Sequence, residues 1–87
     1  MTSTERILKE PLIRRDYDLL VLLKQREEGL TMRDIFTLLE TSDYLTVRYR
    51  LRKLGTFGLL KWSWRDGEKR FYITHKGVRI LTELVRT

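Results

Sequence analysis

Cysteine is absent from this chain, which excludes disulfides and thiolate metal sites. Histidine occurs once, at His75, so a structural zinc site has too few ligands. Proline also occurs once, at Pro11, where it breaks any helix. Long hydrophobic runs are missing: the longest, Leu19 to Leu23, is far short of a membrane span. Residues 1–10 carry charges at Glu5, Arg6, Lys9 and Glu10 and lack the apolar run of a signal peptide. A cytoplasmic protein with no membrane partner is the expectation. Asparagine is absent and glutamine occurs once, with twelve Arg against six Lys, a composition that hints at heat adaptation. No repeat, low-complexity run or internal linker interrupts the chain.

Enzyme chemistry is equally thin. His75 stands at a helix start, where a capping or surface role fits it. Asp16 and Asp18 read as first-turn residues, and Glu27 and Glu28 as a solvated helix end. Gly55 and Gly58 do not match a phosphate-cradling loop, which needs several glycines after a strand. No catalytic activity, cofactor or metal is expected.

What remains is 87 residues with a net charge of +6. That length suggests one domain, burying about 60–65% of the surface its unfolded form exposes. The placement of the charge is more informative than its size. Residues 44–70 hold eight cations, Arg48, Arg50, Arg52, Lys53, Lys61, Arg65, Lys69 and Arg70, against Asp66 and Glu68. The rest of the chain sums to zero, so the whole excess lies in one segment. That is the electrostatic footprint of a polyanion-binding face; the plainer reading is a helix surface made soluble by Lys and Arg.

Taken in order, residues 1–15 read as an N-terminal arm, partly disordered, in which Pro11, Leu12 and Ile13 could form an extended lead-in. Residues 16–87 read as the domain. Asp16 is expected to cap a first helix that runs to about Glu28 and stops at Gly29. Tyr17, Leu20, Val21 and Leu23 repeat at helical spacing and Leu19 and Leu22 widen the stripe, so this helix is central to the core, meets a partner, or both. Thr31 with Asp34 forms a weaker capping box, Leu30 and Ile35 take the staple positions, and Ile35, Phe36, Leu38 and Leu39 supply a buried face. Ser42 or Asp43 caps a third helix. At about 100° per residue, Tyr44, Val47, Leu51 and Leu54 fall on its core side. Leu45, Tyr49 and Arg52 fall opposite, beside Ser42, Thr46 and Lys53, with Arg48 and Arg50 on the flanks. Guanidinium, hydroxyl and aliphatic groups together suit the edges of bases in a major groove. Leu45 would instead be core if the helix phase were shifted, and Tyr49 a protein contact.

Leu60 to Trp64 and Lys69 to Ile73 then alternate with period two around Asp66-Gly67, a favoured two-residue hairpin turn. Counting back from the turn pairs Trp64 with Lys69, Trp62 with Phe71 and Leu60 with Ile73, and Leu60, Trp62, Phe71 and Ile73 should cover the core. Trp64 is either an edge-of-core aromatic or a contact to the DNA backbone. Thr74 caps a last helix, about His75 to Arg86, with Val78, Leu81, Leu84 and Val85 as its stripe and Ile80 alongside.

This order is a helix-turn-helix with a wing. The stretch TVRYRLRKLGTFGLLKWSWRDGEKRFYITHKGVRILTEL resembles the winged-helix transcription regulators of the MarR, PadR and ArsR kind, including small archaeal and archaeal-virus members. Leu51-Arg52-Lys53-Leu54, Gly58-Leu59-Leu60, Asp66-Gly67, Tyr72-Ile73-Thr74 and Lys76-Gly77 carry the likeness, which covers roughly residues 16–86. It implies a recognition helix at Asp43 to Lys53, a wing at Lys61 to Arg70, and a homodimer on two half-sites. A viral member would work in its host's cytoplasm. The fold expected is mainly α, of the α+β winged helix-turn-helix class: a three-helix core, a two-stranded wing and a C-terminal helix. The expected partners are double-stranded DNA and a second copy of the chain. Arg33, Lys61, Arg65, Lys69 and Arg70 would hold phosphates; Ser42, Thr46, Tyr49, Arg50 and Arg52 would face the major groove; Asp43, Leu45, Arg48, Lys53 and Trp64 complete the surface. Leu19, Leu22, Ile80, Leu84 and Val85 would form the dimer contact. The alternatives are a winged helix that docks proteins, and an architectural DNA-binding protein without sequence preference.

Overall fold

The computed structural model describes residues 10–86, with side chains as far as residue 84. Helices α1 (Arg14–Lys24), α2 (Met32–Leu39) and α3 (Tyr44–Thr56) precede strands β1 (Leu60–Arg65) and β2 (Glu68–Ile73), and α4 (His75–Arg86) follows. This is the mainly helical winged-helix order expected from the sequence. The arm at residues 1–9 and the side chain of Val85 lie outside the described residues.

α1 begins three residues earlier than expected, because its cap position is Ile13 and not Asp16. Asp16 sits in the first turn, and its Oδ2 accepts the Ile13 backbone N–H at 2.9 Å. The helix ends at Lys24, before the expected Glu28. A turn then leads to Gly29, whose φ of +83° and lack of a side chain are both needed: a Cβ there would lie 2.7 Å from the Tyr72 ring. The next residue, Leu30, exchanges backbone hydrogen bonds with Phe71 at 3.0 and 2.9 Å. This single bridge adds the start of a third strand to the hairpin, which the sequence reading missed.

α2 starts as the capping box predicts. Thr31 Oγ1 accepts the Asp34 N–H and Asp34 Oδ2 accepts the Thr31 N–H, both at 3.1 Å. Of its expected buried face, Ile35 is enclosed and Phe36 and Leu39 pack against the core, but Leu38 is exposed.

The core joins Leu19, Leu20 and Leu23 of α1 with Ile35 of α2, Val47, Leu51 and Leu54 of α3, Leu59 and Leu60, Phe71 and Leu81. Each such side chain contributes about 1.5–3 kcal/mol relative to its exposed form. Leu19 is fully enclosed within the chain's own core and is therefore not available as the dimer contact expected of it. Tyr44 departs the other way. It is 47% exposed, with its ring tilted against Phe36 at 5.8 Å.

The hairpin register is the one counted from the turn, with Trp64 opposite Lys69, Trp62 opposite Phe71 and Leu60 opposite Ile73. Asp66 and Gly67 both take positive φ, 51° and 78°, as a type I′ turn requires. Only the base of the inward face reaches the core. Leu60 and Phe71 are buried, whereas Trp62, expected to cover the core, is half exposed because the hairpin overshoots it. Thr74 Oγ1 accepts the Gly77 N–H at 3.1 Å, capping α4 as expected, and donates to the Gly58 carbonyl at 2.7 Å.

Candidate nucleic-acid interface

α3 has two flanks and an outer face, and each does something different. One flank is set by Asp43, the cap. Its Oδ1 accepts the Thr46 N–H at 3.2 Å and its Oδ2 accepts the Thr46 hydroxyl at 2.6 Å. The hydroxyl bond first, then the backbone bond, hold the Asp43 carboxyl below its usual range, so it is ionised at neutral pH. A negative charge suits this helix end but repels phosphate. Asp43 and the hydroxyl of Thr46 thus form the cap of α3, at the exposed start of the helix.

The same flank carries Arg50 and Lys53, both expected at DNA. Lys53 is only 4% exposed, and its Nζ donates to Asp16 Oδ2 and to the Pro11 carbonyl, each at 2.8 Å. Arg50 Nε lies 4.0 Å from Asp16 Oδ1, with most of its side chain covered. The structure thus reassigns Lys53 from DNA contact to a buried ion pair, and turns Arg50 toward the same carboxylate. Together they tie α3 to the start of α1 and the residues before it. Glu10 and Tyr49 add a second tie, with the phenol donating to Glu10 Oε2 at 2.5 Å.

The outer face carries Leu45, Tyr49 and Arg52, all exposed, with Ser42 at the preceding turn. Leu45 is 76% exposed, which excludes the shifted phase that would have buried it. The second flank, Tyr44 and Arg48, faces the wing. Between them runs a cleft of about 970 Å³ lined by Tyr44, Arg48 and Arg52 from the helix and by Lys61, Trp62 and Lys69 from the wing. Four cations from two elements thereby converge on one concavity. Lys69 Nζ stands 4.0 Å from the centre of the Trp62 ring, a cation–π contact within the wall.

Arg65 and Trp64 lie exposed near the wing tip. Arg70, grouped with them on sequence grounds, is drawn back. It donates to the Gly29 carbonyl at 3.3 Å and lies 3.7 Å from Glu68. Arg33 is exposed on α2 and shares a shallow depression with Glu68, Lys69 and Arg70.

Away from this surface, Tyr17, Val21, Leu81 and Leu84 help line a largely apolar groove of about 1010 Å³ between α1 and α4. Of the expected dimer residues, Leu22 and Ile80 are partly buried against the chain's own core, and Leu84 is exposed at the groove. Among the described residues, no group of three or more His, Asp or Glu side chains could hold a metal ion. Nor is any helix there long and apolar enough to cross a membrane.

No protein-family model and no curated protein matches the sequence. Solved structures do match. The S. aureus MepR–DNA complex aligns with a TM-score of 0.78 and 22% identity, over 94% of this chain and 66% of that one. Bordetella bronchiseptica BpsR, whose DNA binding is regulated by 6-hydroxynicotinic acid, aligns with a TM-score of 0.77 and 19% identity, over 95% of this chain and 61% of that one. A MarR-family transcriptional regulator from Rhodococcus sp. RHA1 aligns with a TM-score of 0.75 and 24% identity, over 83% of this chain and 52% of that one. The chain therefore spans about half to two-thirds of the length of these structures, and shares with them the fold of a MarR-type winged helix-turn-helix.

Proposed function

We propose that this protein is a sequence-specific duplex DNA-binding transcriptional regulator. α3 enters the major groove, presenting Ser42, Leu45, Arg48, Tyr49 and Arg52 to base edges and their flanking phosphates. Lys61, Lys69 and Arg65 of the wing, with Arg33 from α2, take the adjacent backbone or minor groove. The observation that carries this reading is the cleft between α3 and the wing, where Arg48, Arg52, Lys61 and Lys69 converge while the chain outside residues 44–70 is electrically balanced. A protein-docking face would be more apolar and less cationic at its centre. The MepR–DNA complex, with the same fold, supports the choice of DNA. The apolar α1–α4 groove supports a homodimer, which would read two half-sites about one helical turn, ~34–36 Å, apart.

Fluorescence anisotropy against random duplex DNA at several salt concentrations tests this. A slope of log K against log salt of about −4 or steeper is expected. Selection from a random pool should then enrich one site. Absence of binding at low salt would overturn the reading, and binding without enrichment would reduce it to an architectural role.

A further inference from the structure

The wing carries more exposed aromatic surface than phosphate binding calls for. Trp62 is 51% and Trp64 66% exposed, on the same face of the hairpin as Lys69. Their rings meet edge to face, 6.4 Å apart at 85°, so the pair offers indole surface in two orientations. This face continues the apolar alternation that starts at Leu60 and Phe71, but beyond the point where the core ends. Cations surround it, with Lys69 over the Trp62 ring and Arg48, Arg52 and Lys61 lining the cleft that Trp62 shares. Aromatic rings set among cations make a surface for nucleobases, the rings stacking and the cations holding the strand that carries them. Bases inside an intact duplex are already stacked on each other, and must be separated before an indole can take one. Bases that are already unpaired need no such opening.

We propose that the Trp62–Trp64 face stacks on unpaired DNA bases, so that the protein prefers duplex interrupted by a bubble or mismatch over uninterrupted duplex. The proposal rests on the DNA-binding reading above and names the kind of DNA this site takes. The number of phosphates does not distinguish the two forms at equal length, so the aromatic variants carry the test.

The test is anisotropy at fixed salt with two labelled duplexes of equal length, one fully paired and one holding a short run of mismatches. The parent chain should bind the mismatched form about tenfold more tightly, which is ~1.4 kcal/mol. Trp64→Ala should bring that ratio to about one, and Trp64→Phe, which keeps a ring, should retain most of it. Trp64 is too exposed for either change to threaten folding. Equal affinity of the parent chain for both forms would overturn the proposal while leaving duplex binding intact. A preference that survives Trp64→Ala would also overturn it, since the softer mismatched helix would then be read through its deformability. If Trp64→Ala left the ratio unchanged but abolished self-association, the face would belong to a second copy of the chain. Failure to bind either form would instead defeat the underlying DNA-binding reading.

Discussion

At the scale of single residues, the largest energies sit where two full charges are withdrawn from water. Asp16 is fully enclosed and Lys53 nearly so, 2.8 Å apart. Removing one partner strands the other, which typically costs about 3–5 kcal/mol. Lys53→Met should therefore lower stability in urea by about that amount, and adding Asp16→Leu should recover most of it. A loss below ~1 kcal/mol for the single change would mean that Arg50, 4.0 Å away, already holds the carboxylate. None of this was legible in the sequence, because the partners lie far apart along the chain and each has a reasonable local role, Asp16 as a cap and Lys53 as a surface cation. The caps that were legible are those whose partners lie within three residues. Thr31 and Asp34 are one such pair. Their mutual bonds, led by the Thr31 backbone N–H, hold the Asp34 carboxyl below its usual value of 3.8. A carboxyl depressed by folding stabilises fully above its unfolded value, and that contribution fades as pH falls through the folded one. The stability gap between the parent and Asp34→Asn should be constant near neutrality and shrink only below about pH 3.8. A gap unchanged at pH 2 would show that the ionised form is not what the cap uses.

At the scale of elements, legibility follows periodicity and turn chemistry. The hairpin was read to the residue because Asp66-Gly67 fixes the turn type and the turn fixes the register. The Leu30–Phe71 bridge was not, since one residue of strand has no period to detect. Helix ends fell between these cases. The α4 start was readable from Thr74, while the end of α1 is expected too late because residues 25–28 offer no breaker before Gly29. Trp62 was misread because alternation tells which face a residue takes but not how far the core extends beneath it. Gly77 raises a different question, being a glycine inside a helix, where alanine is ordinarily better by about 1 kcal/mol. Here α4 crosses the chain so closely that a Cβ would lie 2.4 Å from the Leu59 carbonyl oxygen and 2.6 Å from Ile73. Backbone cannot yield as a side-chain tip can, so Gly77→Ala should destabilise by about 1–3 kcal/mol despite its helix propensity. Thermal melting measures the balance, and a raised Tm would mean that α4 can shift away from the wing base without loss.

At the scale of the whole molecule, the charge distribution becomes a count that solution measurements can read. The sequence assigns eight cations to residues 44–70, but the structure withdraws three of them. Lys53 is buried, Arg50 faces Asp16, and Arg70 leans on the Gly29 carbonyl. Arg48, Arg52, Lys61, Arg65 and Lys69 remain exposed on α3 and the wing. If four or five of them neutralise phosphates, the salt slope is about −4 per protomer, because each phosphate contributes about −0.9. A monomer should then give a slope near −4, and a dimer engaging both half-sites one near −8. Two variants divide the count by role. Lys61→Ala should weaken binding to every sequence alike and make the slope shallower by about 0.9 per protomer. Arg52→Ala should cost ~1–3 kcal/mol on the selected site and much less on random duplex. Uniform loss from Arg52→Ala would move that side chain from base edge to phosphate. It would leave Ser42, Leu45, Arg48 and Tyr49 as the side chains on which sequence preference then depends.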